Sequence, residues 1–297
     1  MIRIGEGWED LAAAIAQGTT PERVYVVGPT DSGKTTLCRY LVDRVAAHTR
    51  TAYVDCDTGQ SRVGPPTTEG IALSSGPTYL RFVGSTSPGG HFIQTLTAAK
   101  RLVEKAAELS AGATVIDSPG LVAGRVGAEF QFHMIDLLRP TRIVALQRGR
   151  ELERLLANFA RSPKTAVHRL PVSPAAVART ATGRRHYREE RFRDYFSGSR
   201  VQEVPLRGLG LQGRLPDMAN PRGIEGRLVS FNDPENFALA LGIVEEISPG
   251  ERTLRALAPP FDHAAVASVR FGSLALDLDA GPGLMESLHP YAGKSAR

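Results

Sequence analysis

The segment GPTDSGKT, residues 28–35, carries the residue types that bind the phosphates of a nucleotide. It satisfies the pattern G-x-x-x-x-G-K-[ST], follows an apolar run and opens a helical stretch. Its glycines let consecutive backbone N–H groups turn toward an anion at the positive end of a helix. Lys34 is expected to reach the β- and γ-phosphates, and the Thr35 hydroxyl to bind Mg²⁺. The predicted nucleotide cradle comprises Gly28, Pro29, Thr30, Asp31, Ser32, Gly33, Lys34, Thr35 and Thr36.

Two further segments place carboxylates where predicted strands end. VDCDTGQS puts Asp55 and Asp57 two residues apart, on the same side of the pleat, and TVIDSPG ends another strand with Asp117. Ligands of open α/β sheets lie beyond the carboxyl ends of the strands, so these acids are expected to face the phosphates. One can hold Mg²⁺, and another can accept a proton from an attacking hydroxyl group. A structural role at the strand exit is the alternative for each acid taken singly.

A parallel sheet is predicted to position these groups. Short runs rich in Val, Ile and Leu alternate with helical stretches over the first two hundred residues, which is typical of a sheet covered on both faces. The predicted strands are 23–28, 51–57, 113–118, 141–147 and 165–171. The predicted helices are 34–47, 92–109, 129–138, 150–159 and 183–198. The fold class is therefore α/β, a P-loop NTPase with a doubly wound, mostly parallel sheet.

The sequence changes character after residue 206. Residues 207–223 are rich in Gly and Pro and predict a linker. Residues 224–297 contain short apolar runs separated by turn signals, which predict a small C-terminal β-rich domain. The P-loop domain, including an arginine-rich segment at 179–198, is thus expected to span residues 1–206.

Positive charge is concentrated in one part of the chain. Residues 139–200 contain 15 Lys+Arg against 5 Asp+Glu, whereas the remainder contains 21 basic and 26 acidic residues. This asymmetry favours a polyanionic partner or a triphosphate site, with a solvated face of an Arg-rich protein as the alternative. Two cysteines do not make a disulfide framework, and no apolar run approaches the ~20 residues of a membrane span. The sequence predicts a cytoplasmic protein that does not interact with membranes.

Four segments, in this order, resemble the 5′-hydroxyl polynucleotide kinase family of archaeal and eukaryotic RNA processing. They are GPTDSGKTTL, DCDTGQSRVGPPTTEGIAL at 55–73, IDSPGLVAG at 116–124 and RTATGRRHYREERFRDYFSG at 179–198. They are similar to the family's phosphate loop, its D-x-D-x-G-Q segment, its T-x-G-W clasp and its arginine lid. The resemblance implies Mg²⁺-dependent transfer of the γ-phosphate of ATP, or of GTP or another NTP, to a 5′-hydroxyl end. That end would belong to single-stranded or end-exposed RNA or DNA.

The resemblance also assigns roles to the acids. Asp57 matches the position of the general base that activates the 5′-hydroxyl group. Asp55 and Asp117 would support Mg²⁺ or its water shell together with Thr35.

Arg184 and Arg188 match the pair of arginines in the family's lid. Positions i and i+4 share one face of a helix, so both guanidinium groups can point at one target. Planar bidentate donors suit a phosphoryl group whose charge is spread over its oxygens. The alternative is a solvent-exposed helix with Glu189 and Glu190 as i,i+4 partners.

The acceptor strand is expected to contact residues around this centre. They are Gln60, Thr67, Thr68, His91, Ser118, Gly120, Leu121 and Arg179. The alternative for His91 is an exposed loop position without a function. The alternative for Thr67 and Thr68 is that they cap the helix-like run that follows. Leu121 stands where the clasp pattern has Trp, so it offers no π-face to a base and we expect looser discrimination between RNA and DNA.

Two other functions fit the motifs. A P-loop ATPase or GTPase could use similar carboxylates to position water, although the sequence has no recognisable [NT]KxD guanine-specificity motif. A non-catalytic, nucleotide-bound scaffold in a nucleic-acid-processing assembly is the other. Lys34, Thr35, Asp57 and the lid arginines favour the kinase over the scaffold, because a scaffold has no need to keep them together.

Overall fold

The structure is a computed structural model that describes residues 4–18, 21–279 and 285–287. The helices are α1 (Trp8–Ala16), α2 (Lys34–Val45), α3 (Phe92–Glu108), α4 (Gly124–Leu138), α5 (Glu153–Leu156) and α6 (Ala181–Phe196), with a 3₁₀ turn at His263–Ala265. The first seven strands are β1 (Glu22–Val27), β2 (Thr51–Asp55), β3 (Thr68–Leu73), β4 (Thr78–Phe82), β5 (Ala113–Asp117), β6 (Arg142–Gln147) and β7 (Ala166–Pro171). The later strands are β8 (Arg200–Pro205), β9 (Gly210–Gly213), β10 (Arg227–Asn232), β11 (Ala238–Ser248), β12 (Thr253–Ala258), β13 (Ser268–Leu276) and β14 (Met285–Ser287).

The first sheet has the strand order β4-β3-β2-β5-β1-β6-β7. The five strands from β2 to β7 in this order run parallel, and these are the five strands predicted from the sequence. Because parallel strands end at the same edge, the segments after β1, β2 and β5 come together there. The predicted α/β P-loop fold is confirmed.

Helices cover the two faces of this sheet. Val24 and Val26 of β1 pack with α1 and α2, whereas Tyr25 and Val27 pack with α3 and α4. The alternation follows from the strand period of two, and both faces are apolar because both are buried. Among the helices of the described residues, none is long and apolar enough to cross a membrane.

An antiparallel hairpin, β3–β4, extends the first sheet at one edge. β3 pairs with β2 and β4 pairs with β3, both antiparallel. This hairpin is not among the predicted elements, and the run after Thr68 that resembles a helix is a strand. The proposed capping of a helix by Thr67 and Thr68 is therefore wrong.

The second sheet is antiparallel along its main path, with the order β14-β13-β10-β11-β12-β8. β8 lies inside the predicted first domain yet pairs with β12, and β9 lies inside the predicted linker yet pairs with β13. We therefore propose a boundary at residue 199, earlier than the predicted one. Residues 280–284 and 288–297 of the predicted β-rich domain lie outside the described residues.

The C-terminal half of α6 packs where the two sheets meet. Phe192 and Phe196 are buried in one cluster with Phe82 of β4 and with Leu228 and Leu241 of the second sheet. The Leu241 amide also donates a 2.8 Å hydrogen bond to the Tyr195 hydroxyl. The second half of α6 is thus fixed by apolar contacts to both sheets.

Candidate active site

The phosphate loop, residues 28–36, connects β1 to the first turn of α2. A Cβ atom on Gly28 would lie 2.7 Å from the Leu146 carbonyl oxygen, so only glycine fits there. Gly33 has φ +89°, in the left-handed region that favours glycine. The Lys34 ammonium bends back over the loop and donates to the carbonyls of Gly28 (3.0 Å) and Pro29 (2.9 Å). The loop therefore presents a lysine and helix-end amides to one concave site, as phosphate binding requires.

Asp117, at the end of β5, lies beside the start of α2. Its Oδ2 accepts hydrogen bonds from the Thr35 hydroxyl (2.6 Å) and the Tyr53 hydroxyl (2.9 Å). Its Oδ1 is buried and has no hydrogen-bond partner in the described part of the chain. Burial raises the pKa of Asp117, and the nearby Lys34 opposes that rise.

This donor set fits Mg²⁺. The ion prefers oxygen ligands and usually takes one or two from protein side chains, with the rest from water and phosphates. The Thr35 hydroxyl and the unpartnered Asp117 oxygen supply that number. In the described ranges there is no group of three or more His, Cys, Asp or Glu that could hold a metal ion.

Asp55 holds the segment that follows β2. Its Oδ2 accepts hydrogen bonds from the amides of Arg62 (2.5 Å) and Val63 (3.1 Å), and its Oδ1 accepts one from the Asp57 amide (3.1 Å). Burial, followed by the charge of Asp117, raises the pKa of Asp55 to about 8. Both carboxyl oxygens are engaged by the backbone, so the geometry gives Asp55 a role in shaping the loop; its predicted support of Mg²⁺ stays a prediction.

Asp57 faces the cavity. Its Oδ1 accepts from the amides of Gly59 (2.9 Å) and Gln60 (3.0 Å), which fixes the carboxylate in one orientation. No partner of its Oδ2 is found among the described residues, and the side chain is half-buried. The free oxygen is in a position to accept a proton from a ligand in the cavity.

The lid helix α6 begins over the phosphate loop. Asp31 Oδ2 accepts from the Arg179 amide (3.0 Å) and pairs with Arg184 Nη1 (3.2 Å). Arg184 Nη1 also donates to the Arg179 carbonyl (2.7 Å), and Thr180 caps the helix by accepting from the Gly183 amide. The hydrogen bonds and the ion pair to Asp31 thus hold the beginning of α6 to the phosphate loop.

The next turns of α6 lie over the segment after β2. The Tyr187 hydroxyl donates to the Ser61 carbonyl (2.9 Å), and Arg191 donates to the Gly64 carbonyl (2.7 Å). Arg188 Nε is buried without a partner in the described chain. Burial and the like charge of Arg184 lower the pKa of Arg188, and the carboxylate of Asp57 opposes that shift.

The salt-bridged helix face expected as the alternative is also present. Arg185 pairs with Glu189 and His186 with Glu190, at i,i+4 spacing. These pairs lie beside the face that carries Arg184, which pairs with the phosphate loop instead. The i,i+4 ion pairs of the alternative are therefore present, whereas the action of Arg184 and Arg188 on a phosphoryl group stays a prediction.

One cavity of about 240 Å³ collects most of these groups. It is lined by Thr30, Asp31, Ser32, Gly33, Lys34, Thr35, Thr36, Arg39, Asp57, Gln60, Arg62, Ala175, Ala176, Val177 and Arg179. Gln60 accepts a 2.6 Å hydrogen bond from Arg179 Nη1, so these two predicted acceptor-binding residues lie together. The phosphate loop, the segment after β2 and the lid thus enclose a single site.

The clasp segment packs against the phosphate loop. A Cβ atom on Gly120 would lie 2.4 Å from Thr30 Oγ1, so the approach requires glycine. Ser118 is buried and its amide donates to the Val26 carbonyl (3.3 Å). Leu121 is half-buried against the core on the α3–α4 face.

The remaining predicted acceptor residues lie elsewhere. Thr67 is buried at φ +76° and the Thr68 hydroxyl donates to the Pro65 carbonyl (2.7 Å), so both support the turn before β3. His91 Nε2 lies 2.9 Å from Ser273 Oγ of the second sheet, and His91 does not line the cavity of the phosphate loop. The predicted contacts of these three residues with an acceptor strand stay predictions.

Several site residues were not predicted from the sequence. Tyr53 is two residues before Asp55 in β2 and so shares its side of the strand, which is a signal that could have identified it. Arg39 and Arg62 each follow a predicted motif by a few residues. Residues 175–177 carry no polar pattern, and only the path of the chain from β7 to the lid brings them to the cavity.

Comparison with known proteins agrees with this geometry. The family model of the mRNA cleavage and polyadenylation factor CLP1 P-loop matches residues 28–198. A polyribonucleotide 5′-hydroxyl-kinase of Pyrococcus abyssi is 26% identical over 85% of this chain and 87% of its own length. Another from Thermococcus kodakarensis is 28% identical over 89% of this chain and 91% of its own length.

A solved structure shows the same fold. The structure of the wild-type Clp1p–Pcf11p (454–563) complex superposes with a TM-score of 0.71 at 14% identity, covering 92% of this chain and 80% of the compared chain. The resemblance stated from the sequence is confirmed by the family match, which includes the phosphate loop, the acids and the arginine lid. The chain belongs to the mRNA cleavage and polyadenylation factor CLP1 P-loop family.

Proposed function

We propose that this protein is a polynucleotide 5′-hydroxyl kinase that transfers the γ-phosphate of ATP, or of GTP or another NTP, to the 5′-hydroxyl end of RNA or DNA. The observation that carries the proposal is the enclosure of Lys34, Asp57 and Arg179 around one cavity, with Arg184 held at its rim by Asp31. A site that only binds a nucleotide would need the lysine. Transfer to a hydroxyl group also needs a general base and a cationic side chain that closes over the phosphates. The names of the archaeal relatives support the same reaction.

The nucleotide would bind along the phosphate loop. The amides of residues 30–36 and the Lys34 ammonium would hold the β- and γ-phosphates. Thr35 and Asp117 would hold Mg²⁺, which supplies neutralisation of the phosphate charge when bound.

Asp57 would act as the general base. The 5′-hydroxyl oxygen attacks the γ-phosphorus, its proton passes to Asp57 Oδ2, and the bond from the γ-phosphorus to the bridging oxygen breaks. The products are the nucleoside diphosphate and a 5′-phosphorylated end, and Asp57 then loses the proton to solvent. The two backbone bonds on Oδ1 leave Oδ2 as the oxygen for this transfer.

The lid would stabilise the transferring group. Arg184 and Arg188 lie one turn apart on α6, which suits two guanidinium groups acting on one phosphoryl group. Closure of the lid excludes water, which limits hydrolysis of the nucleotide. The cytoplasmic location expected from the sequence is part of the proposal.

Transfer of ³²P from γ-labelled ATP to 5′-hydroxyl RNA and DNA oligomers tests the proposal, with free phosphate measured in the same reactions. We expect label on the oligomer in the presence of Mg²⁺ and its loss in Lys34→Ala and Asp57→Ala. With Leu121 in place of Trp, kcat/KM should be comparable on RNA and DNA of one sequence. Free phosphate without labelled oligomer would indicate an ATPase, and tight nucleotide binding without turnover a scaffold; either result would overturn the kinase.

A further inference from the structure

The segment between β4 and α3, residues 83–91, contacts both the loop after β2 and the second sheet. Gly84 accepts hydrogen bonds at its carbonyl from the Ser273 amide (3.0 Å) and the Ser273 hydroxyl (2.9 Å). His91 Nε2 lies 2.9 Å from the same hydroxyl oxygen. The segment is thus fastened to β13 at both of its ends.

The same segment also contacts the loop that carries the proposed base. A Cβ atom on Gly59 would lie 2.7 Å from the Thr86 carbonyl oxygen, so the two backbones touch. Gly59 in turn donates to Asp57 Oδ1. Residues 84–91 therefore lie between the loop that carries Asp57 and β13 of the second sheet. Gly84 is buried, and residues 85–91 are exposed or half-buried and form a surface there.

Arg270 lies on β13 where this surface ends. Its neighbours Val269 and Phe271 are in the core of the second sheet, so Arg270 points to the opposite face. The side chain is half-buried, and no hydrogen bond or ion pair of its guanidinium group occurs among the residues that the structure describes. A half-buried arginine without an anionic partner is costly to keep, because its charge is partly desolvated.

The charges around Arg270 are mostly positive. Arg270 and Arg214 are near enough to His91 to help lower its pKa, after the larger effect of burial. Arg270 and Arg101 likewise lower the pKa of Arg81, again after burial, and Asp233 and Glu69 oppose this. Arg81 donates to the backbone carbonyls of Glu235 and Asn236, and the Glu235 carboxylate pairs with Lys105 (2.9 Å).

We propose that this surface, residues 84–91 with Arg270, binds the phosphodiester backbone of the acceptor strand downstream of its 5′ end. The inference rests on the proposed function and extends it by giving the second sheet a role in holding the substrate. Arg270 would contact one phosphate, and the hydroxyls of Ser85 and Ser87 would offer donors along the path; the amides of Gly84, Ser87 and Gly89 already donate within the protein. Such contacts fix the register of the strand without reading its sequence.

The test compares Arg270→Ala with Arg200→Ala in the full-length chain. Arg200 is an exposed arginine of β8, which three strands separate from β13 in the same sheet. Its replacement by Ala removes the same charge. Phosphate transfer is measured on a 5′-hydroxyl dinucleotide and on a 20-nucleotide single strand. We expect Arg270→Ala to raise KM for the 20-mer about tenfold and to leave dinucleotide kinetics within about twofold, because only the longer strand reaches β13. Arg200→Ala should change neither.

Direct binding of a fluorescent 20-mer, measured by anisotropy over a range of salt concentrations, gives a second readout. Arg270→Ala should reduce the slope of log Kd against log salt by about 0.7, the value of one phosphate contact on a single strand. Arg270→Lys keeps the charge and should keep most of the affinity, which separates charge loss from misfolding. Equal KM, Kd and salt slope in Arg270→Ala and Arg200→Ala would overturn the inference even with an active enzyme. Absence of transfer by the wild type would overturn the proposed kinase instead, while the binding data would still decide the role of Arg270.

Discussion

Asp31 of the phosphate loop and Arg184 of α6 form an ion pair across 153 positions of sequence, with 3.2 Å between Oδ2 and Nη1. The same oxygen accepts the Arg179 amide, so one carboxylate holds the beginning of the lid. A nucleoside triphosphate bound in the same cavity would bring negative charge that competes with Asp31 for Arg184. The ion pair thus makes the position of the lid sensitive to what the phosphate loop binds.

Replacing Asp31 by Asn should loosen the lid in the absence of nucleotide. The amide oxygen can still accept from Arg179, but the attraction to Arg184 is lost, which for a partly exposed pair amounts to about 1 kcal/mol. We expect trypsin to cleave within residues 179–193 about fivefold faster, measured by mass spectrometry over a time course. Asp43→Asn, an exposed change on α2, is the control. Equal cleavage rates in the two variants would show that Asp31 does not hold the lid.

Thr35→Ala should weaken the binding of Mg²⁺ at the site. It removes the hydroxyl that bonds Asp117, so the Mg²⁺ concentration for half-maximal nucleotide binding should rise about tenfold. Thr35→Ser restores the hydroxyl and should restore the wild-type midpoint. Titration of Mg²⁺ against binding of a fluorescent nucleotide measures both. An unchanged midpoint in Thr35→Ala would exclude the residue as a ligand.

Asp57→Asn should abolish transfer without disturbing the fold. The Asn carbonyl oxygen can still accept from the amides of Gly59 and Gln60, while the basic oxygen is lost. We expect kcat to fall by about 10²- to 10⁴-fold, as for loss of a general base, with the KM for the nucleotide within about twofold. Steady-state kinetics and a thermal melt of the same preparation provide the measurement. A kcat within tenfold of the wild type would remove Asp57 from the role of base.

Glu153→Gln should reduce stability in a pH-dependent manner. Arg169, and next the Gln147 amide, lower the pKa of Glu153 to about 2, so its ionised form stabilises the fold above the ordinary value of about 4.5. That stabilisation is lost as the pH falls from about 4.5 toward 2. Since 26% of the Glu153 side chain and 44% of the Arg169 side chain are exposed, we expect only about 1 kcal/mol at pH 7.

Urea denaturation at pH 7 and at pH 3 measures this difference between wild type and Glu153→Gln. The difference should shrink at the lower pH. Glu104→Gln, which removes two exposed ion pairs within α3, with Lys100 and Arg101, should show a smaller effect at pH 7. A difference that does not change with pH would mean that Glu153 acts through packing and not through its charge.

The parallel sheet could be predicted because its strands are continuous apolar runs bounded by glycine or by acids. The hairpin β3–β4 was not predicted, although two strand-like runs flank the turn SSGP at residues 74–77. The preceding Thr-Thr pair resembles a helix cap, and the local pattern does not distinguish a cap from the first pair of a strand. Here the pairing of β3 with β2 decides the outcome, and pairing is a tertiary contact.

The order of the motifs in the sequence indicated the phosphate loop, the acids and the lid. It did not indicate which residues of these segments contact one another. The bonds from Arg179 to Gln60 and from Arg184 to Asp31 span more than a hundred residues and depend on α6 crossing from one side of the site to the other. The placement of His91 against Ser273 depends on the docking of the second sheet, for which its own segment gives no signal. The sequence therefore indicated which segments form the site, and the contacts between them could not be predicted from it.

Because Phe192 and Phe196 are buried between the two sheets, the position of the lid helix depends on the second sheet, which follows it in the sequence. A protein that ended at residue 206 would keep every catalytic motif and would still expose those two rings to water. Their burial, worth roughly 1.5–3 kcal/mol for each ring, would be largely lost. The C-terminal end of α6 would then no longer be fixed by packing. Loss of the second sheet in evolution would therefore remove the apolar contacts that hold α6. A smaller version of the chain would first need another apolar surface on which α6 could pack.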